Sequence, residues 1–204
     1  MSETISSVRV IVVLGVGGVG KSTASDRMAA ALRARGSAAE VIRFDELRKK
    51  LAPPGVDPFS KERWVKEWIY SRATEHFRAL AEAGEIPIVD CGLTAEKIRV
   101  ELKASIPGLR IVHLYCPLAL AVWRDTKRSI LGTHERGRFL HLRALFDRLT
   151  PWKPSSEWFP QPGITYAFEY PHCADVHINT RGKTPQWVAG EALRQLGFGE
   201  VRGG

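Results

Sequence analysis

Long apolar runs, cysteines and repeats are what this chain has least of. No stretch of about eighteen apolar residues occurs, so a membrane-spanning helix is not expected. Three cysteines, Cys91, Cys116 and Cys173, are too few and too scattered for a disulfide framework or a zinc site. They read as buried or strand-end thiols in a reducing cytoplasm, and no chemistry attaches to them. The N-terminal MSETISS lacks the basic start and apolar core of a secretory signal, which again points to the cytoplasm. Internal repeats are absent, as is any low-complexity tail beyond Gly203-Gly204.

What is present suits a single α/β domain spanning residues 1–204, since 204 residues at 44% hydrophobic can build one sizeable core. The formal charge of +8 favours anionic ligands: nucleotides, sulfated or phosphorylated small molecules, or nucleic acid. Between Arg124 and Arg148 seven Lys/Arg face three acids, which concentrates half of the excess in one short stretch. A solvated helix face would also account for that run.

Residues 8–22 read VRVIVVLGVGGVGKS, a β-branched apolar run ending in Gly15-x-x-x-x-Gly20-Lys21-Ser22. The run has the density of a buried parallel strand. Thr23 to Arg35 follow with the alanines and leucines of a helix, closed by Gly36. A glycine-rich loop between such a strand and helix aims backbone N–H groups at a polyphosphate. Across Gly15, Gly17, Gly18, Val19, Gly20, Lys21, Ser22 and Thr23, the spacing gives each side chain a role. Lys21 reaches the outer phosphates, and the Ser22 hydroxyl holds Mg²⁺. A nucleoside triphosphate is the expected ligand.

Further strands are expected at Glu40–Phe44, Ile86–Asp90, Leu109–Tyr115 and Ala174–Ile178. Helices are expected at Glu46–Leu51, from an N-cap at Ser60 to about Ala83, from Thr94 to about Ala104, from Pro117 through Arg124, and from Thr184 to about Leu196. Val65, Trp68, Ile69, Ala73, His76, Phe77 and Leu80 recur at helical spacing and form the expected core face of the long helix. Alternating strands and helices predict a three-layer α/β/α fold around a parallel five-stranded sheet. Residues 126–172 break the rhythm with dense aromatics and prolines (151, 154, 160, 162 and 171). They read as a basic lid plus a substrate-binding loop, with a structural appendage as the alternative.

Phosphoryl transfer needs held phosphates, Mg²⁺, a guided acceptor and cations on the developing charge. Asp45, at the carboxyl end of the second strand, could accept the proton of an attacking hydroxyl. Arg48, three residues on, could pin an anionic substrate. The same pair could equally be a helix cap and its salt-bridge partner. Asp90, ending the third strand, is a candidate to orient Mg²⁺ through water. Arg124, Lys127, Arg128, Arg136 and Arg138 are all eligible to meet the transferring phosphoryl group.

Several segments together resemble the adenylylsulfate kinase family of the P-loop nucleotide kinases. They are the phosphate loop; Phe59-Ser60-Lys61-Glu62-Arg63 running on to Ala81–Val89; Pro117-Leu118 with Arg124-Asp125-Thr126-Lys127; and Phe168-Glu169-Tyr170-Pro171, Ala174-Asp175 and Asn179-Thr180. The resemblance implies ATP, Mg²⁺ and phosphorylation of a hydroxyl on a small anionic nucleotide. It casts Asp45 and Arg48 on the acceptor side, Arg99 and Phe168 as substrate contacts, and Arg124, Lys127 and Thr180 beside the nucleotide. The chain departs from the family where Asp-Gly-Asp is replaced by Arg43-Phe44-Asp45, where Arg128-Ser129-Ile130 follows the Arg-Asp-x-Lys signature, and where Asp90–Thr94 stand in place of a Ser- and Arg-rich loop. The expectation is therefore an adenylylsulfate-kinase-like small-molecule kinase, with the acceptor open among a nucleotide, a nucleoside and a specialised metabolite. A polynucleotide 5′-hydroxyl kinase is the enzymatic alternative, with tryptophans to stack bases. A nucleotide-dependent switch or binding module is the alternative of another class, although no Asn-Lys-x-Asp base-reading motif occurs. A homodimer is left open.

Overall fold

The computed structural model describes residues 9–60, 62–93, 95–130 and 168–199. Five strands form one sheet: β1 (Val10–Leu14), β2 (Ala39–Arg43), β3 (Ile86–Asp90), β4 (Leu109–Tyr115) and β5 (Val176–Asn179). Their order is β2-β3-β1-β4-β5, and every pairing is parallel. Six helices lie among the described residues: α1 (Lys21–Arg33), α2 (Phe44–Leu51), α3 (Arg63–Glu82), α4 (Glu96–Ser105), α5 (Leu118–Ile130) and α6 (Pro185–Gln195).

The unbroken apolar character of β1 follows from its place at the centre of the sheet, where both faces are covered. Ile11 and Val13 pack with Met28 and Leu32 of α1, Ala121 of α5 and Val188 and Leu193 of α6. Val10, Val12 and Leu14 face the opposite way, onto Phe44 of α2, Ile69 and Phe77 of α3 and Leu102 of α4. Two apolar cores on either side of one sheet make the three-layer α/β/α fold that the alternation predicts.

Element boundaries move where side chains and long-range contacts override local signals. Phe44 leaves the sheet, starts α2 and is buried, so β2 ends at Arg43 rather than Phe44. Ser60 does not cap α3. Its Oγ accepts the Glu62 N–H at 3.2 Å within the preceding turn, and the helix starts at Arg63. The buried stripe of α3 is Val65, Ile69, Ala73, Phe77 and Ala81, a strict every-fourth row. Trp68 (42% exposed) and His76 lie outside it, and Leu80 is half-buried. Thr94 lies outside the described residues. The first N–H of α4, on Glu96, is instead met by the Glu169 carboxylate at 2.6 Å, a cap from far along the chain. At α6 the expected cap holds: Thr184 Oγ1 accepts the Trp187 N–H at 3.2 Å. Helix α5 runs on to Ile130 rather than ending at Arg124, so residues 126–130 are helical. Residues 131–167 of the expected insertion, with Arg136 and Arg138, lie outside the described residues, while 168–172 are described.

Candidate active site

Residues 15–20 connect the end of β1 to the start of α1, and two glycines there have no room for a side chain. A Cβ on Gly15 (φ +147) would lie 2.3 Å from the Leu114 carbonyl oxygen, and one on Gly18 (φ +80) 2.1 Å from the Ala121 carbonyl oxygen. The loop is therefore wedged between β4 and α5. Gly20 (φ +98) is left-handed with open space around it, and it stands at the N-cap of α1. No side chain caps that helix and no acid lies in its first turn, so its N-terminal dipole is available to an anion. Lys21 Nζ donates to the Val16 carbonyl at 3.1 Å, which lays the ammonium across the loop.

The corner beside this loop joins the two residues expected to hold a metal. In the parallel register Val13 stands beside Asp90, and Asp90 beside Arg43. Ser22 Oγ donates to Asp90 Oδ2 at 2.5 Å across 68 positions of sequence. Arg43 Nη1 donates to the same oxygen at 3.2 Å and to the Ser22 carbonyl at 3.3 Å, while Nη2 grips both oxygens of Asp26 at 2.7 and 2.8 Å. A hydroxyl and a carboxylate in contact are hard oxygen donors, the kind Mg²⁺ selects when it also keeps waters and binds phosphates. The residues present fit that ion.

On the expected acceptor side, Asp45 is half-buried in the first turn of α2. Arg48 lies one turn on, but its Nε donates to the Pro58 carbonyl at 3.1 Å and its guanidinium sits 5.1 Å over the Phe59 ring. The neighbouring Cys91 thiol is pushed up to about 12 by burial first, with Asp90 raising it and Lys21 and Arg48 lowering it. Both cations thus act on the carboxyl end of β3, and the thiol stays protonated and unreactive.

Arg99 and Phe168 are brought together as the resemblance implies: the guanidinium lies 5.3 Å over the ring. Arg99 is nonetheless fully buried, ion-paired to Glu96 at 3.2 Å, and donates to the Glu169 carbonyl at 2.7 Å. That arrangement fastens residues 168–170 onto α4. Arg124 and Thr180 also meet, with Nη1 donating to Thr180 Oγ1 and Nη2 to its carbonyl, each at 3.1 Å. Lys127 is exposed, and its Nζ lies 5.4 Å from the Trp123 ring.

The family model AAA_33, an AAA domain, matches residues 10–136, well over half of the chain. The chain belongs to this AAA domain family. Within it the resemblance to adenylylsulfate kinases stands. An adenylyl-sulfate kinase of Deinococcus deserti is 25% identical over 195 residues, covering 95% of this chain and 92% of that protein. The Mycobacterium tuberculosis APS kinase CysC, solved in complex with AMPPNP and APS, superposes with a TM-score of 0.68 at 18% identity, over 93% of this chain and 98% of that one. A sugar kinase from Janibacter sp. HTCC2649 gives 0.59 at 23% identity, over 93% and 94%. These two structural likenesses establish the shared fold.

In this AAA domain, sequence reasoning missed three groups. Arg43 registered only as a departure from the family pattern, because its contact with Asp90 needs β2 and β3 to be neighbours. Glu169 acts as a helix cap from 73 residues away. His113 and His177 meet at 3.2 Å between their Nδ1 atoms, in a cluster with Phe168, Tyr170 and Tyr115 on one face of β4 and β5. Burial, then His177, then Arg99 lower the His113 pKa to about 4. Period-2 alternation, with Ile111, His113 and Tyr115 on one face of β4, is the signal that could have found that pair. Among the described residues no helix is long and apolar enough to cross a membrane, and no three His, Cys, Asp or Glu cluster as a metal site.

Proposed function

We propose that this protein is an ATP-dependent kinase that transfers the γ-phosphate to a hydroxyl group of a small molecule. The observation that carries the reading is the Ser22–Asp90 contact at 2.5 Å beside an uncapped α1 N-terminus. It joins a phosphate cradle to a metal corner, and phosphoryl transfer consists mainly of positioning and charge stabilisation at such a place. Backbone N–H groups of residues 15–23 hold the phosphates, and Lys21 stands over the outer ones. Ser22 and Asp90 are the residues that would hold Mg²⁺, which neutralises charge between the outer phosphates when bound. Asp45 accepts the acceptor's hydroxyl proton. Arg124, fixed on Thr180, and Lys127 supply cations from the α5 side.

The acceptor class is narrower in principle than the fold. The names of the relatives extend from adenylyl-sulfate to sugar kinases, and a small hydroxylated molecule is the acceptor that spans them. The three cysteines are unpaired, which suits a reducing cytoplasm. The test is an ATP-consumption screen over adenylylsulfate, nucleosides, 5′-hydroxyl oligonucleotides and hydroxylated metabolites. ADP release stimulated by a small hydroxylated molecule supports the reading. Stimulation by oligonucleotides alone, with steep salt dependence, replaces it with a polynucleotide kinase.

A further inference from the structure

We propose that Arg43 is a positioning residue for Asp90, setting the carboxylate in place before any metal arrives. The inference rests on the kinase reading of this corner and adds to it a residue that the family pattern does not provide.

Arg43 is the last residue of β2 and stands beside Asp90, the last residue of β3. Its side chain reaches three groups on two elements. Nη1 donates to Asp90 Oδ2 at 3.2 Å and to the Ser22 carbonyl at 3.3 Å. Nη2 forks the Asp26 carboxylate at 2.7 and 2.8 Å, one turn further along α1. A planar guanidinium suits this task, because its donors leave in fixed directions from one rigid plane. Three of its four contacts go to α1, so the fourth fixes where Asp90 Oδ2 lies relative to Ser22. An ammonium could make the Asp90 contact but not hold the same plane.

A lone arginine beside a metal-binding acid opposes the metal. Here the shorter, two-pronged contacts go to Asp26, and the longer one goes to Asp90. Asp26 thus balances the guanidinium while Arg43 still orients the acid. The Asp26 side chain is 55% exposed and that of Arg43 31%, so the pair adds little to folding stability. A stabilising role would be an inefficient use of four directed hydrogen bonds at this corner.

The experiment is calorimetric titration of the full chain with ADP, in EDTA and across a Mg²⁺ series, together with thermal melts. Arg43→Ala is expected to leave ADP affinity in EDTA and the melting temperature near wild type. The Mg²⁺ concentration needed to tighten ADP binding should rise by about tenfold or more, the usual consequence of losing a group that orients a metal ligand. Arg43→Lys should recover part of the shift, and Asp26→Asn should move the Mg²⁺ requirement in the same direction by less. An unchanged or lowered Mg²⁺ requirement in Arg43→Ala overturns the proposal, the lowered one showing that the guanidinium merely opposes the metal. A large loss of melting temperature with an unchanged Mg²⁺ series also overturns it, in favour of a structural strap. Wild-type protein that binds ADP with no Mg²⁺ dependence overturns the kinase reading of the corner and this proposal together.

Discussion

Replacing Gly18 by alanine separates the two reasons a glycine can be required in this loop. At Gly18 both apply: the backbone is left-handed (φ +80), and the added Cβ would sit 2.1 Å from the Ala121 carbonyl oxygen and 2.8 Å from its carbon. A left-handed backbone costs about 1–2 kcal/mol with a side chain. Relieving the clash must shift backbone by more than an ångström in α5, at a residue fully buried in the core, and such overpacking costs a further ~1–3 kcal/mol. Gly20 provides the control, since it shares the left-handed backbone (φ +98) but has nothing within 4 Å of the added carbon. Gly20→Ala therefore incurs only the first cost. At about 2–4 °C per kcal/mol for a domain of this size, Gly18→Ala should melt on the order of 10 °C lower and Gly20→Ala about 2–8 °C lower. Differential scanning fluorimetry reads the difference directly, and ADP titration should show the larger affinity loss in Gly18→Ala. Equal melting losses in the two variants would refute the claim that α5 packs against the loop.

Lys21→Ala and Asp45→Ala should each abolish phosphoryl transfer with circular dichroism unchanged, Lys21→Ala by about 3 kcal/mol or more in barrier, as for removal of a preorganised donor; wild-type turnover by Asp45→Ala removes that residue from the acceptor role. His113 titrates near 6.5 when unfolded and about 4 when folded, so between those values the unfolded chain binds more protons and stability is lost as pH falls. The loss is at most about 3 kcal/mol by the conversion of pKa shift to free energy, visible in urea melts at pH 7 and pH 4.5, and His113→Phe should flatten the dependence. On α3, Phe77→Ala should cost about 3–5 kcal/mol and the half-exposed Trp68→Ala far less, measured by the same melts; equal losses would contradict the every-fourth buried row.

How much of this was legible in the sequence depended on how local each signal was. Strands β3 and β4 match their expected bounds because apolar density and flanking glycine, proline and acid are read within a few residues. The phosphate loop was legible for the same reason. Trp68 misled because periodicity counts hydrophobicity, while the structure selects a narrow face and lets Trp68 donate to the Leu51 carbonyl at the surface. Ser60 misled because its hydroxyl serves the preceding turn, accepting the Glu62 N–H, instead of capping α3. Arg43, Glu169 and the His113–His177 pair escaped because each acts across a sheet or a chain crossing of 47 to 73 residues. Arg99 shows the limit of resemblance. The pairing with Phe168 is there, yet the guanidinium is buried on Glu96 and the Glu169 carbonyl.

The central claim, that the corner at Gly15–Ser22 and Asp90 is the donor half of a small-molecule kinase, is tested most directly by phosphorus NMR of MgATP incubated with the protein and each candidate acceptor. The account predicts a phosphate-ester resonance growing in step with ADP for at least one small hydroxylated acceptor, absent with Lys21→Ala. ATP that is bound but never transferred, or hydrolysed only to free phosphate whatever acceptor is offered, would contradict it.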